Sequence, residues 1–182
     1  MHPRTAPQAA VVIVSDRSAR GERADAVGPA LAERLRGEGY EVGAVSIVPD
    51  GAESVETALR AAVAAGARLV LTSGGTGIGP RDRTPEGTRP VLVRELPGVA
   101  DDVRRSGAEH VPTSVLSRGV AGVADQPGTG GALIVNLPGS EDGAREGVER
   151  VLRVARHAID QLDGGDHVHT VHPPAEPGAV AR

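Results

Sequence analysis

The sequence predicts an α/β protein, a three-layer sandwich whose mostly parallel sheet carries helices on both faces and includes one antiparallel strand. Continuous apolar runs, AAVVIV at 9–14 and RLVLT at 68–72, are typical of strands that are covered on both sides. Helical patterns lie between such runs, so strands and helices alternate along the chain. This alternation predicts parallel strands that are joined by helical crossovers.

Two further segments complete the predicted sheet. GALIVNL at 131–137 is a third continuous apolar run, and YEVGAVSIV at 40–48 is a fourth segment with a more alternating pattern. Residues 120–125 return through QPGTG into the third run, which is the pattern of a hairpin. The hairpin adds the one strand that we expect to be antiparallel.

Three helices have clear sequence signals. The first places Val27, Leu31 and Leu35 four residues apart and ends at glycines 37 and 39. Ser54 is the expected N-cap of the second helix, and Ser140 is the expected N-cap of the third and longest one.

The segment 85–124 is harder to interpret, because its two helix-like stretches contain Pro90, Pro97 and Gly98. It also carries apolar residues outside the clear strand–helix units. We expect these mainly to form contacts between subunits, with packing against their own sheet as the alternative. They are Val91, Leu92, Leu96, Val99 and Val103.

Length and composition limit the classes of function. The 182 residues are enough for one domain, which we place at 9–162 between a flexible N-terminus at 1–8 and a mobile Gly/Pro/His-rich tail at 163–182. The net charge of −4 and the near absence of aromatic residues argue against nucleic-acid binding. No apolar run is long enough to cross a membrane, so we expect a cytoplasmic protein.

One short stretch raises the question of function. TSGGTGIGPRDRTPEG at 72–87 follows directly on a predicted buried strand and contains five glycines, two prolines and a compact charge cluster. Glycine at such a place lets the backbone approach a ligand closely, and phosphate is the commonest such ligand. A Walker-type phosphate loop needs a lysine, however, and this chain contains none.

Polar or glycine-rich segments follow each predicted parallel strand: SDRS, PDG, SGGTG and NLPGS. The carboxyl ends of parallel strands lie along one edge of a sheet, where open α/β folds bind their ligands. We therefore expect the four segments to meet around one cleft. Taken singly, each one is also compatible with a tight turn or a helix entry.

The cleft contains two candidate metal ligands. Asp50 and Asp82 lie on different loops, and a hard cation such as Mg²⁺ prefers carboxylate oxygens. Magnesium between aspartates and phosphates is typical of phosphoryl and nucleotidyl transfer. The alternatives are that Asp50 belongs to a turn and that Asp82 pairs with Arg81 or Arg83 on a solvated loop.

The series SGGTG, RDRTPE, LSR and NLPG, in this order and over about residues 9–162, resembles the molybdopterin adenylyltransferase family of the MogA/MoaB type. This resemblance implies an enzyme of molybdenum cofactor biosynthesis, usually a trimer, that binds molybdopterin and Mg·ATP. It would transfer AMP to the phosphate of molybdopterin and release pyrophosphate. The implied partners are its two substrates, its own copies in a homotrimer or dimer of trimers, and a molybdenum-inserting protein that receives the product.

The resemblance also implies roles for individual residues. Asp50 and Asp82 would be the catalytic residues and the ligands of Mg²⁺. A further set would bind phosphate, nucleotide and pterin, and it comprises Ser15, Asp16, Gly74, Gly75, Thr76, Gly77, Arg81, Glu86, Ser106, Ser117, Asn136, Pro138 and Gly139. The alternative is a paralogue with weak catalysis that binds molybdopterin as a carrier or interaction partner.

Overall fold

A computed structural model of the chain describes residues 6–126, 128 and 130–165. Within these residues seven strands form one sheet. They are β1 (Gln8–Val14), β2 (Glu41–Val42), β3 (Ser46–Val48), β4 (Leu69–Ser73), β5 (Arg94–Glu95), β6 (Ala121–Ala124) and β7 (Ala132–Leu137). The helices are α1 (Asp16–Ala19), α2 (Val27–Gly37), α3 (Ala52–Ala64), α4 (Thr84–Thr88), α5 (Pro97–His110) and α6 (Glu141–Leu162), with 3₁₀ turns at Arg89–Val91 and Pro112–Leu116.

The sheet has the strand order β2-β1-β4-β7-β6-β5, and β3 pairs with β1 beside β2. Strands β1, β2, β3, β4 and β7 run parallel to one another, whereas β6 is antiparallel to both of its neighbours, β5 and β7. Only β6 therefore runs against the other described strands. The predicted fold class, with its hairpin and one antiparallel strand, is confirmed.

The sheet separates two hydrophobic clusters. Val11 and Ile13 of β1 pack in the cluster that contains residues of α2, α5 and α6, while Val12 and Val14 pack in the cluster that contains residues of α3. Successive side chains of a strand point to opposite faces, so a continuous apolar run covers both. This arrangement gives the three layers.

The predicted strand at 40–48 is divided in the structure. Glu41–Val42 and Ser46–Val48 both pair with β1, and residues 43–45 between them are not in strand conformation. Gly43 lies in this break, where a glycine weakens strand structure. The sequence pattern located the segment correctly but not its interruption.

Of the two predicted caps, Ser140 is confirmed and Ser54 is wrong. The Ser140 hydroxyl accepts a hydrogen bond from the Gly143 N–H at 3.3 Å. Helix α3 begins two residues before Ser54, after Gly51, and the Ser54 hydroxyl donates back to the carbonyls of Pro49 and Gly51. A serine in the first helical turn can donate its hydroxyl to backbone carbonyls before the helix, so a serine near a helix start need not be the N-cap.

The segment 85–124 also differs from expectation. Pro97 does not break a helix but begins α5, where its missing N–H costs nothing. Val91 and Val103 are buried in the two hydrophobic clusters, and Leu92, Leu96 and Val99 pack against them. The expectation of subunit contacts is therefore wrong for Val91 and Val103, which cover the sheet of their own chain as the alternative predicted, whereas it stays a prediction for the partly buried Leu92, Leu96 and Val99.

The turn residues Pro127 and Thr129, the N-terminal residues 1–5 and the tail residues 166–182 lie outside the described residues. The domain boundaries at 8/9 and 162/163 therefore stay predictions. No helix in the described part of the chain is long and apolar enough to cross a membrane.

Candidate functional site

The carboxyl ends of the parallel strands meet, as the segment order predicted. The Ser15 N–H, just after β1, donates to the Val48 carbonyl at the end of β3 at 3.0 Å. The Gly74 N–H, just after β4, donates to the Leu137 carbonyl at the end of β7 at 3.3 Å. The four polar segments are thus joined pairwise by backbone hydrogen bonds at one edge of the sheet.

We call residues 74–82 the glycine loop. Its first two residues, Gly74 and Gly75, must be glycines because of their backbone conformation and their contacts within the chain. Gly74 has φ of +107°, and a Cβ there would lie 2.3 Å from the Val14 carbonyl oxygen. Gly75 has φ of +63°, and a Cβ there would lie 2.4 Å from the Thr84 hydroxyl oxygen. A side chain at either position would be both strained and obstructed. The Thr84 hydroxyl also donates to the Gly74 carbonyl at 2.8 Å, which holds the turn closed.

A small cavity of about 300 Å³ lies at the end of β1. Asp16 and Asp50 face each other there, because the Asp50 N–H donates to Asp16 Oδ1 at 3.0 Å and the Asp16 N–H donates to Asp50 Oδ2 at 3.3 Å. Arg81 of the glycine loop donates to Asp16 Oδ2 at 2.6 Å. The predicted site residues that line this cavity are Ser15, Asp16, Asp50, Gly74, Gly75, Arg81 and Gly139.

Asp82 has a different environment. Its Oδ2 accepts the Gly79 N–H at 2.8 Å, so the carboxylate closes the turn of its own loop. Asp82 is not among the described residues that line the small cavity. The structure thus brings Asp50 together with Asp16, and the sharing of one cation by Asp50 and Asp82 stays a prediction.

Arg118 contacts the glycine loop although no role was predicted for it from the sequence. Its backbone N–H donates to the Thr76 carbonyl at 2.8 Å, and its guanidinium donates to the carbonyls of Gly77 and Asp82. The same guanidinium is bonded to Glu86 of α4, and this hydrogen bond lowers the pKa of the Glu86 carboxyl below its usual value. The signal was present in the LSR motif, but spacing alone does not reveal which carbonyls an arginine reaches.

A larger cavity of about 1160 Å³ lies on the other side of the glycine loop, between that loop, α5 and the start of α6. Its wall includes exposed apolar residues as well as charged ones. The predicted site residues that line it are Thr76, Gly77, Ser117, Asn136 and Pro138. Most of the predicted set is therefore distributed over two cavities that have the glycine loop as a common wall, whereas Asp82, Glu86 and Ser106 are not among the described residues that line either one.

Two predicted binding residues use their polar atoms internally. The Asn136 amide donates to Thr72 and Thr88 at 3.0 Å each, and its oxygen accepts the Val120 N–H at 3.2 Å. Ser106 is only 2% exposed, donates to Glu146 and accepts from Arg150, and it is not among the described residues that line either cavity. Both side chains stabilise the surroundings of the site, and Glu86 does so through Arg118.

The described side chains could supply some, but not all, of the oxygen ligands of a hard cation. In residues 6–126, 128 and 130–165, no three Asp, Glu or His side chains cluster in a way that could hold a metal ion. Asp16 and Asp50 nevertheless present carboxylates side by side at the small cavity. Mg²⁺ is commonly bound by one or two carboxylates together with substrate phosphates and water, so these residues fit it.

An α/β domain with a divided cleft at the carboxyl edge of its parallel strands has the architecture in which open α/β proteins bind their ligands. Residues 10–157 match a family described as "Probable molybdopterin binding domain". Because the match covers most of the chain, the protein belongs to this family.

Individual relatives agree with this assignment. The chain is 37% identical over 166 residues to a molybdopterin adenylyltransferase from Pyrococcus furiosus, covering 86% of this chain and 96% of the relative. It is 48% identical to the structure of the molybdopterin biosynthesis Mog protein from Mycobacterium ulcerans, covering 86% of this chain and 99% of that one with a TM-score of 0.79.

A third relative is longer. The chain is 36% identical over 166 residues to a molybdenum cofactor biosynthesis bifunctional protein from Chlorobaculum tepidum, covering 91% of this chain but only 50% of the relative. The chain thus spans about half the length of that protein.

Proposed function

We propose that the protein acts in molybdenum cofactor biosynthesis by transferring AMP from Mg·ATP to the phosphate of molybdopterin. The observation that carries this proposal is the glycine loop that forms a common wall between two cavities. A transfer between two substrates needs both of them in contact with one rigid element, since the reacting atoms must be held close together. Relatives of full domain length that are named molybdopterin adenylyltransferase support the same reaction.

In this proposal the small cavity takes the phosphates and the large cavity takes the ring-bearing parts of the substrates. A phosphate oxygen of molybdopterin forms a bond to the α-phosphorus of ATP, and the bond from that phosphorus to the bridging oxygen of pyrophosphate breaks. Asp16 and Asp50 would hold Mg²⁺ beside the small cavity, and Asp82 would contribute from the glycine loop. The cation supplies charge neutralisation for the phosphates.

The residues of the chain orient the substrates and need not take up a proton, since the attacking phosphate is already an anion. Arg81 pairs with Asp16 and is 74% exposed at its side chain, so it can turn toward a phosphate at little cost. The rigid turn at Gly74 and Gly75 keeps both cavity walls in place. Positioning and electrostatics account for most of the catalysis in such transfers.

A binding role without catalysis is the second candidate, and one observation favours it. The Asp82 carboxylate is engaged by the Gly79 N–H, as it would be if it served only the loop. In that case the protein would carry molybdopterin to a partner.

The decisive experiment incubates the protein with molybdopterin and ATP labelled at its α-phosphate, with and without Mg²⁺. We expect labelled adenylyl-molybdopterin and pyrophosphate in a magnesium-dependent amount, and chelation by EDTA should abolish the product. Tight binding of molybdopterin without any labelled product would overturn the transfer reaction in favour of the carrier role.

We also propose that the protein forms a homotrimer or a dimer of trimers and passes its product to a molybdenum-inserting protein. Two of the residues first assigned to the interface, Val91 and Val103, are buried within the chain, so the proposal rests mainly on exposed apolar residues of the same region: Val93, Val111, Val115 and Leu116. Light scattering at micromolar protein should give a mass of three or six times 18.5 kDa. A monomer across that range would contradict the assembly.

A further inference from the structure

One arginine contacts the glycine loop at both ends of its tip. Arg118 Nε donates to the Gly77 carbonyl at 2.7 Å, and Arg118 Nη2 donates to the Asp82 carbonyl. The backbone N–H of the same residue holds the Thr76 carbonyl at 2.8 Å. Three carbonyls of one loop are thus bonded to a single residue that lies 36 positions beyond Asp82 in the chain.

Within the tip itself, the described hydrogen bonds are local: the Gly79 N–H donates to Asp82 Oδ2 at 2.8 Å, and the Asp82 N–H donates to the Gly79 carbonyl at 3.1 Å. These bonds close the turn but do not attach it to the rest of the domain. Gly77 and Gly79 have no side chains, and a Cβ on either would lie 2.8 Å from Asp82 Oδ2. Ile78 between them is 70% exposed and so packs little of its surface against the domain. A turn with two glycines and an exposed tip has high conformational freedom unless its backbone is tied down.

Glu86 holds the arginine in turn. It accepts hydrogen bonds from both terminal nitrogens of Arg118, and it lies on α4, directly after the loop. The planar guanidinium can therefore bind a carboxylate and two carbonyls at once, which a lysine ammonium cannot match in geometry. We name Arg118, Glu86 and the carbonyls of Thr76, Gly77 and Asp82 the loop clamp.

The position of the clamp connects it with both cavities. Thr76, Gly77 and Ile78 line the large cavity, and Arg81 lines the small one and contacts Asp16. The distance between these two walls depends on the conformation of the loop between them. We infer that Arg118, held by Glu86, is a positioning residue that fixes the glycine loop, and with it Arg81 and Asp82, in the position between the two cavities that the transfer reaction requires.

This inference rests on the proposed transfer reaction for its kinetic consequence, but not for its structural one. Arg81 and Arg83 are exposed trypsin sites within or next to the loop. In the native full-length protein the clamp should protect them. Cleavage after Arg153, within the long helix α6, serves as an internal measure of global unfolding.

The test compares Arg118→Met, Glu86→Gln and the control Arg60→Met with the unmodified protein. Arg60 is a matched control because it also binds one carboxylate, Glu56, and one carbonyl, that of Pro90, away from the glycine loop. Trypsin cleavage is followed by mass spectrometry, and kcat and KM are measured for AMP transfer.

For Arg118→Met we expect cleavage after Arg81 or Arg83, relative to that after Arg153, to rise roughly tenfold or more because the loop opens locally. We expect kcat to fall about tenfold to a hundredfold through misplacement of the loop, while the KM for ATP changes less. Glu86→Gln should act in the same direction with a smaller effect, and Arg60→Met should match the unmodified protein.

Unchanged cleavage after Arg81 and Arg83 in the Arg118 variant would overturn the clamp, and faster cleavage with unchanged kcat would overturn its positioning role. If Arg118→Met does not fold, Glu86→Gln decides by the same two measurements. If the unmodified protein transfers no AMP, the proposed reaction fails, and the proteolysis rates alone then decide whether the clamp exists.

Discussion

Asp16, the first residue of α1, and Asp50, between β3 and α3, exchange hydrogen bonds: each backbone N–H donates to the carboxylate of the other residue, at 3.3 and 3.0 Å. The two residues are 34 positions apart in the chain and follow two different strands, β1 and β3. The pair holds two carboxylates at the small cavity, where the proposed reaction needs a cation.

From this arrangement we expect Asp50→Asn to lower the turnover of AMP transfer by at least about a hundredfold, because cation-held charge stabilisation is lost. Asp82→Asn should have an effect of the same order while molybdopterin binding is retained. If both carboxylates serve one cation, the double variant should lose much less than the product of the two factors. Turnover at saturating ATP and molybdopterin measures this, and fully multiplicative losses would place the two carboxylates in separate roles.

Gly74→Ala should destabilise the domain strongly. The substitution combines a φ of +107° with a Cβ 2.3 Å from the Val14 carbonyl oxygen, and strain of this kind costs about 1–3 kcal/mol or more. Gly37→Ala is the control, since a Cβ there meets nothing within 4 Å and the position lies at the end of α2. Thermal unfolding should separate the two by several degrees. Equal melting temperatures would mean that the loop glycines are not needed for the stability of the fold and serve only the close approach of a ligand.

The end of α6 provides a third prediction, which concerns the domain boundary. Arg68, 13% exposed at its side chain, donates to Asp163 at 2.7 Å and to the Gly131 carbonyl at 2.7 Å, joining the starts of β4 and β7 to the end of α6. A chain that ends after Asp163 should keep the melting temperature and activity of the full chain. Asp163→Ala in that shortened chain should cost at most about 1 kcal/mol, because Asp163 is exposed and ion pairs at exposed sites contribute little.

Three denaturant titrations check this: one on the full chain, one on the shortened chain and one on the shortened chain with Asp163→Ala. A lower stability of the chain that ends after Asp163 would show that residues 164–182 contribute to the domain. No loss from Asp163→Ala would show that the contact with Arg68 is dispensable.

The fourth prediction concerns pH. Arg34 of α2 donates two hydrogen bonds to Glu149 of α6, at 2.6 and 3.0 Å, and this lowers the pKa of the Glu149 carboxyl below its unfolded value of 4.5. A lowered pKa means that the stabilisation is present above the unfolded value and is lost as the pH falls through the folded value.

Glu149→Gln should therefore be less stable than the unmodified protein at pH 7, by at most about 1 kcal/mol because the pair is partly exposed. This difference should disappear as the pH falls below 4.5. Glu33→Gln on the same helix as Arg34 is the control, since Glu33 is exposed and has no ion pair among the described residues. Melting temperatures between pH 3 and pH 8 measure the effect, and a difference that is independent of pH would rule out the ion pair as its cause.

The sequence by itself determined the architecture. The apolar runs of β1, β4 and β7 are continuous because both faces of the sheet are covered, and this is visible without any structure. The order of elements then required the polar segments after these strands to meet at one edge. The hairpin before β7 and the cap at Ser140 were also readable, because turn and cap preferences are local.

Only the tertiary structure decided which side chains contact each other. Asp50 lies against Asp16, Ser106 is buried against Glu146, and Arg118 reaches three carbonyls of a distant loop. Such contacts depend on the orientation of side chains from elements that are far apart in the chain, and residue type and spacing along one strand or helix do not specify it.

Two apolar residues of the segment 85–124, Val91 and Val103, were misassigned for the same reason. The sequence pattern at Val91 and Val103 would be the same whether these valines cover the sheet of their own chain or contact a neighbouring subunit. Hydrophobic burial is not directional, so the pattern indicates that a residue is covered but not by what. The path of the backbone through α4, β5 and α5 made that choice.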